Sequence, residues 1–225
     1  MNYQIRGTVL QVADIQLSEN ESVYTEKGGM SWMSPNIKME TNTKGGLLKG
    51  VGRMFAGESL FMTTYTCTSG TGMISFSSEF PGKIIPMQLK EGQTIICQKD
   101  SFMVAQNSVT LAVEFQKKFG AGLFGGEGFI LQKITGPGTA LLEIAGEVTE
   151  YTLSEGQTLK INPGHIAFFD PTVKYSITKV KGIKNVFFGG EGLFLATIEG
   201  PGKVWLQSMP IANFARKISR YITKK

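Results

Sequence analysis

The chain of 225 residues is 41% hydrophobic and 18% charged, with mean hydropathy near zero. That balance excludes a disordered chain, and no apolar run approaches the length of a spanning helix. A formal charge of +5 permits contact with anionic partners, but the basic residues are scattered rather than gathered into a run.

The N-terminal stretch MNYQIRGTVLQVADIQL lacks the charged start and apolar block of a secretory signal, so a cytoplasmic location is expected. Cys67 and Cys97 are then expected to be free, half-buried thiols. Moving along the chain, two motifs recur at one offset. LKEGQT at Leu89–Thr94 returns as LSEGQT at Leu153–Thr158, and FGGEGFILQKITGPG at Phe124–Gly138 returns as FGGEGLFLATIEGPG at Phe188–Gly202. Both pairs are 64 positions apart (89 against 153, 124 against 188), which points to internal repetition.

A more divergent copy lies upstream. LSENES at Leu17–Ser22 takes the place of LKEGQT, and FAGESLFMTTYTCTSGTG at Phe55–Gly72 that of the glycine-rich hairpin. The sequence therefore divides into three units, 1–78, 79–147 and 148–210, followed by a tail over 211–225. Each unit reads as strand, LxEGQT-type turn, two strands, glycine-rich loop, strand, Gly-x-Gly turn and strand. Val109, Leu111, Val113 and Phe115 alternate with polar or small residues, the period of a half-buried strand. No helical periodicity precedes about residue 210, so the fold class is all-β. Gly-Pro-Gly at 136–138 and 200–202 reads as a type II turn, proline presetting φ and glycine accepting φ > 0. In the tail, Ile211, Phe214, Ile218, Tyr221 and Ile222 fall at helical spacing and predict a short amphipathic, basic C-terminal helix.

The residue inventory argues against an enzyme. Gly126-Glu127-Gly128 lacks the third glycine of a dinucleotide fingerprint and leads into a strand, and no Gly-Lys-Ser/Thr follows any glycine cluster. The one histidine, His165, cannot build a multi-histidine metal site and reads as a turn residue. No catalytic residue, metal ligand or cofactor is expected. What remains is the set of basic, partly apolar loops before the glycine clusters. Lys49, Arg53 and Phe55 belong to the first, Lys117, Lys118 and Phe124 to the second, Lys181, Lys184 and Phe188 to the third. If the units surround a pseudo-threefold axis, these loops and Glu58, Glu127 and Glu191 occupy equivalent places. Such a face suits an anionic membrane surface or a protein partner. Nucleic acid is disfavoured because basic and aromatic residues lack a fixed spacing.

The C-terminal GGEGLFLATIEGPGKVWLQSMP, with its Gly-Glu-Gly-Leu, Gly-Pro-Gly and Val204–Ser208 VWLQS, resembles a widespread bacterial family of unknown function. That family is related to a mitochondrial altered-inheritance protein linked to inner-membrane organisation. The resemblance implies three tandem repeats of the fold of the tryptophan RNA-binding attenuation protein, a short double-stranded β-helix, and no catalytic residues. The expectation is an all-β, pseudo-threefold protein of three β-sandwich units with a C-terminal helix. Its expected role is non-enzymatic binding or scaffolding, at or near a membrane, with homo-oligomers allowed. The alternative is a small-ligand or RNA-binding module, by analogy of fold alone.

Overall fold

The computed structural model describes residues 1–26, 29–42, 62–117, 128–179, 194–219 and 221. Its described residues are almost all β, with one short helix near the end. The sequence stretch 1–78, called unit 1 below, holds a leading strand β1 (Asn2–Arg6) and then β2 (Val12–Ser18), β3 (Ser22–Thr25), β4 (Met30–Met33), β5 (Ile37–Asn42), β6 (Met62–Cys67) and β7 (Thr71–Ser77). Unit 2 holds β8 (Gly82–Leu89), β9 (Thr94–Gln98), β10 (Phe102–Gln106), β11 (Thr110–Lys117), β12 (Phe129–Thr135) and β13 (Gly138–Ala145). Unit 3 holds β14 (Val148–Leu153), β15 (Thr158–Ile161), β16 (Ile166–Phe169), β17 (Lys174–Lys179), β18 (Phe194–Glu199) and β19 (Gly202–Gln207), and the helix α1 spans Ile211–Ser219.

Apart from β1, each stretch thus has one strand more among the described residues than its sequence suggests. The region after the second strand of a unit breaks in two, because a short turn lets Val109 N donate to Gln106 O (3.0 Å) before β11 begins. Pairing is antiparallel throughout and follows one pattern. In unit 2, β13 lies between β8 and β10, and β12 between β9 and β11. In unit 3, β19 lies between β14 and β16, and β18 between β15 and β17. In unit 1, β7 lies between β2 and β4, and β6 between β3 and β5.

Units are joined edge to edge. β3 of unit 1 pairs with β10 of unit 2, and β9 of unit 2 with β16 of unit 3. Four sheets result, in the orders β1-β2-β7-β4, β5-β6-β3-β10-β13-β8, β11-β12-β9-β16-β19-β14 and β15-β18-β17. They pack in succession. Ile15, Leu17 and Phe76 of the first sheet meet Val23, Tyr65 and Leu141 of the second. Tyr24, Leu89 and Leu142 of the second meet Ile95, Cys97 and Phe168 of the third. Leu131, Phe169 and Val204 of the third meet Ile177, Ala196 and Ile198 of the fourth. Among the described residues no strand pair joins unit 3 back to unit 1, since β4 and β15 both lie at sheet edges.

The turns explain the motifs. Gly92 (φ 72°), Gly156 (φ 74°) and Asn20 (φ 66°) hold the left-handed position of the LxEGQT-type turns, where a side chain is disfavoured and asparagine is the tolerated substitute. The residue after each returns a side-chain oxygen to the turn. Gln93 Oε1 accepts from Lys90 N (3.0 Å), Gln157 Oε1 from Ser154 N (3.0 Å) and Glu21 Oε2 from Ser18 N (2.8 Å). The Gly-Pro-Gly turns are not type II. Gly136-Pro137 and Gly200-Pro201 are cis peptides, and Gly138 (φ 135°) and Gly202 (φ 144°) lie far from the third-position value of that turn. Both cysteines are fully buried rather than half-buried, one in each of two cores.

Candidate functional site

The side of the stack where β7 and β13 end carries a cleft of about 390 Å³ between units 1 and 2. Four pieces of backbone make it: the end of β3 with Thr25 and Glu26, the segment after β7 with Glu79 and Phe80, the 3-10 turn Lys99–Ser101 leading into Phe102, and Glu143 on β13. Helix α1 closes one wall with Ile211 and Phe214. The helix is placed by Pro210, which packs against Gly164 and accepts from Asn213 N (2.9 Å) and Phe214 N (3.2 Å). Three of the lining charges, Glu26, Lys99 and Glu143, are largely withdrawn from solvent.

Glu143 has its proton held by this burial. It is only 6% exposed, and burial pushes its carboxyl up to about 7. A hydrogen bond from Glu79 N to Glu143 Oε2 (3.2 Å) pulls the other way, while the charges of Glu79 and Asp100 push it further up. In unit 3 the same strand position is Gln207, opposite Val148 as Glu143 is opposite Ile84. Gln207 Oε1 accepts from Ala145 N (3.1 Å), and its Nε2 donates to Gly164 O (2.8 Å). The buried acid is thus a variation on an amide that is satisfied at both ends.

Glu26 is held across the junction. Gln132 Nε2 of unit 2 donates to Glu26 Oε2 (3.0 Å), and the Glu26 charge adds to burial in pushing the Cys97 thiol up. Burial comes first there, so Cys97 is an inert core thiol. His165 sits in the 3-10 turn Pro163–His165, with Nδ1 2.8 Å from Gln207 O. No three His, Cys, Asp or Glu side chains among the described residues are grouped to hold a metal, and no helix there is long and apolar enough to cross a membrane.

Of the loop residues singled out in the sequence, Lys117 alone lies within the described chain. It ends β11, and its Nζ donates to Ile177 O, tying unit 2 to unit 3. Lys49, Arg53, Phe55, Lys118, Phe124, Lys181, Lys184 and Phe188 lie outside the described residues, as do Glu58, Glu127 and Glu191. Sequence reasoning passed over the cleft. One signal was available: Glu143 interrupts the apolar run ALLEIA, and an acid inside a buried strand marks a site worth inspecting.

Stacked antiparallel sheets, with a mixed polar and apolar cleft at a unit junction and buried charges facing it, define a class: an all-β protein. Residues 3–209 match the family described as Mitochondrial biogenesis AIM24, and the chain belongs to that family. It is 30% identical over 225 residues to an uncharacterized protein of Streptococcus pyogenes serotype M6, covering 96% of this chain and 89% of that one. It also resembles the X-ray crystal structure of a Streptococcus pyogenes protein, with TM-score 0.78 and 25% identity over 98% of this chain and 99% of that one.

Proposed function

We propose that this protein is a non-enzymatic binding module whose ligand site is the cleft between units 1 and 2. The observation that carries the reading is the cleft itself, where withdrawn charges and apolar side chains converge in one ligand-sized space. The carboxylates of Glu26, Glu79 and Asp100, beside the carboxyl of Glu143, outnumber the Lys99 ammonium, while Phe80, Phe102 and Phe214 supply apolar surface. The chemistry favours a small ligand with an amine and an apolar body. Thermal-shift and native mass measurements with a panel of hydrophobic amines test this. A rise in melting temperature that Glu26→Gln and Glu143→Gln remove is expected. No response to any amine overturns it.

A second reading, peripheral attachment to an anionic membrane, is favoured by a different observation. Phe214, Ile218 and Tyr221 are exposed at a spacing that puts them on one side of a helical turn sequence, next to exposed Lys217. Flotation with anionic vesicles, lost in Ile218→Asp/Tyr221→Asp, supports it. Unchanged flotation of that variant sinks it.

A further inference from the structure

Two unit junctions are made by pairing β3 with β10 and β9 with β16, and the strands left over are β15 and β4. These are the matching halves of a third junction. β15 stands in unit 3 where β3 and β9 stand in units 1 and 2, following the LxEGQT-type turn and, among the described residues, pairing on one side only, with β18. β4 stands where β10 and β16 stand. The correspondence is fixed by an irregularity shared by all three strands. The ladder slips between Met30 and Trp32, between Phe102 and Val104, and between Ile166 and Phe168. Trp32 therefore corresponds to Val104 and Phe168, and Met33 to Ala105 and Phe169.

The occupied junctions also give the register. Tyr24 faces Ala105, and Ile96 faces Phe169, with Cys97 facing Phe168. Carried to the leftover strands, Lys160 faces Met33 and Ile161 faces Trp32. Burial matches this. Val104 and Phe168 are 0% exposed at the occupied junctions, whereas Trp32 is 45% exposed. A hollow of about 550 Å³ runs beside β15, lined in part by Thr149, Tyr151, Leu159 and Ile161. In unit 2 the positions of Thr149 and Tyr151 are Ile85 and Met87, and there Phe168 and Trp205 of the next unit join the same core. The hollow is the place that a following unit fills.

We propose that the occupant is unit 1 of a second copy of this chain. Its β4 adds antiparallel to β15, with Trp32 entering the hollow beside Tyr151, so that the junction used twice within the chain is used again between chains. Unpaired edges invite strand addition, and Lys160 on the edge discourages indiscriminate partners, leaving selection to the side chains that pack. Because β4 and β15 are different surfaces, the contact is head-to-tail and propagates until a ring closes. This rests on the strand registers and is independent of the cleft.

The test uses the full chain and measures mass in solution. Wild type is expected at a multiple of 24.5 kDa. Trp32→Glu, which blocks β4 alone, and Ile161→Pro, which blocks β15 alone, are each expected at monomer mass. Mixing the two is expected to give a one-to-one heterodimer and nothing larger, since one intact edge remains on each. Circular dichroism checks that each variant is folded. If Ile161→Pro does not fold, Lys160→Asp/Ile161→Asp takes its place. Wild type at monomer mass at every concentration overturns the proposal, and so does a folded Trp32→Glu that keeps the oligomer. A Trp32→Cys/Ile161→Cys chain that forms its disulfide within one chain, rather than between chains, overturns it in favour of self-closure.

Discussion

At the scale of single residues, Glu143 sets a pH dependence whose sign is fixed. Its pKa rises from an ordinary 4.5 to about 7 on folding, so folding favours the protonated acid. The stabilisation is complete below about pH 4.5 and is lost as pH rises through 7. A shift of this size corresponds to about 3 kcal/mol across that window. Urea titrations between pH 4.5 and 8 are expected to show the decline, and Glu143→Gln, which copies Gln207, is expected to flatten it. An equal slope in the variant would assign the dependence to other groups. The turn glycines give a second expectation. A methyl group at Gly92 or Gly156 meets nothing within 4 Å, so Gly→Ala there costs backbone strain alone, about 1 kcal/mol. Asn20→Gly is expected to be neutral or mildly stabilising, because it removes the side chain from a left-handed φ of 66°. Chemical denaturation of the three variants checks this. Gly82 differs in kind. A Cβ there would lie within van der Waals overlap of Ile144 O in the paired strand, so Gly82→Ala must open the β8–β13 ladder, costing roughly 3 kcal/mol or more.

At the scale of elements, pairing on both sides decides which strands resist opening. β9 is bonded to β12 and β16 and carries the buried Ile95, Ile96 and Cys97. β4 and β15 are bonded on one side. Hydrogen exchange is expected to be slowest over Thr94–Gln98 and faster over Met30–Met33 and Thr158–Ile161 in dilute protein. The last two segments are expected to slow together as concentration rises, if the edges meet between chains. Helix α1 is an element of mixed allegiance. Ile211 belongs to the cleft wall, Phe214 both lines the cleft and is exposed, and Ile218 is exposed outside it, so the apolar stripe seen in the sequence is divided between two environments.

At the scale of the molecule, no unit owns its core. The second sheet takes strands from units 1 and 2, and the third from units 2 and 3. Cys67 and Cys97 lie in successive cores that share this second sheet. Both thiols are expected to stay unreactive in the native protein and to become reactive at one common urea midpoint, as labelling followed by mass spectrometry would show. Two separate midpoints would mean that the stacked sheets unfold independently.

Much of this was legible before any coordinates. The alternation at Leu111, Val113 and Phe115 specifies strands, because a half-buried sheet needs a period of two. The LxEGQT-type turns specify their own geometry, since a left-handed position selects glycine or asparagine within a few residues of chain. The stripe at Ile211, Phe214 and Ile218 specifies a helix, though not what covers it. Other features were not local and so were not legible. Gly-Pro-Gly admits several turns, and the surrounding strands select one with a cis peptide. The cleft draws Glu26, Lys99, Glu143 and Phe214 from positions far apart in the chain, and their spacing carries no signal because the sheets alone bring them together. The amino-acid sequence by itself determined the strands, turns and helix, which depend on residues that are near neighbours. Only the tertiary structure decided which edges were paired, which acid was buried and where the cleft opened, because these depend on how one unit meets the next.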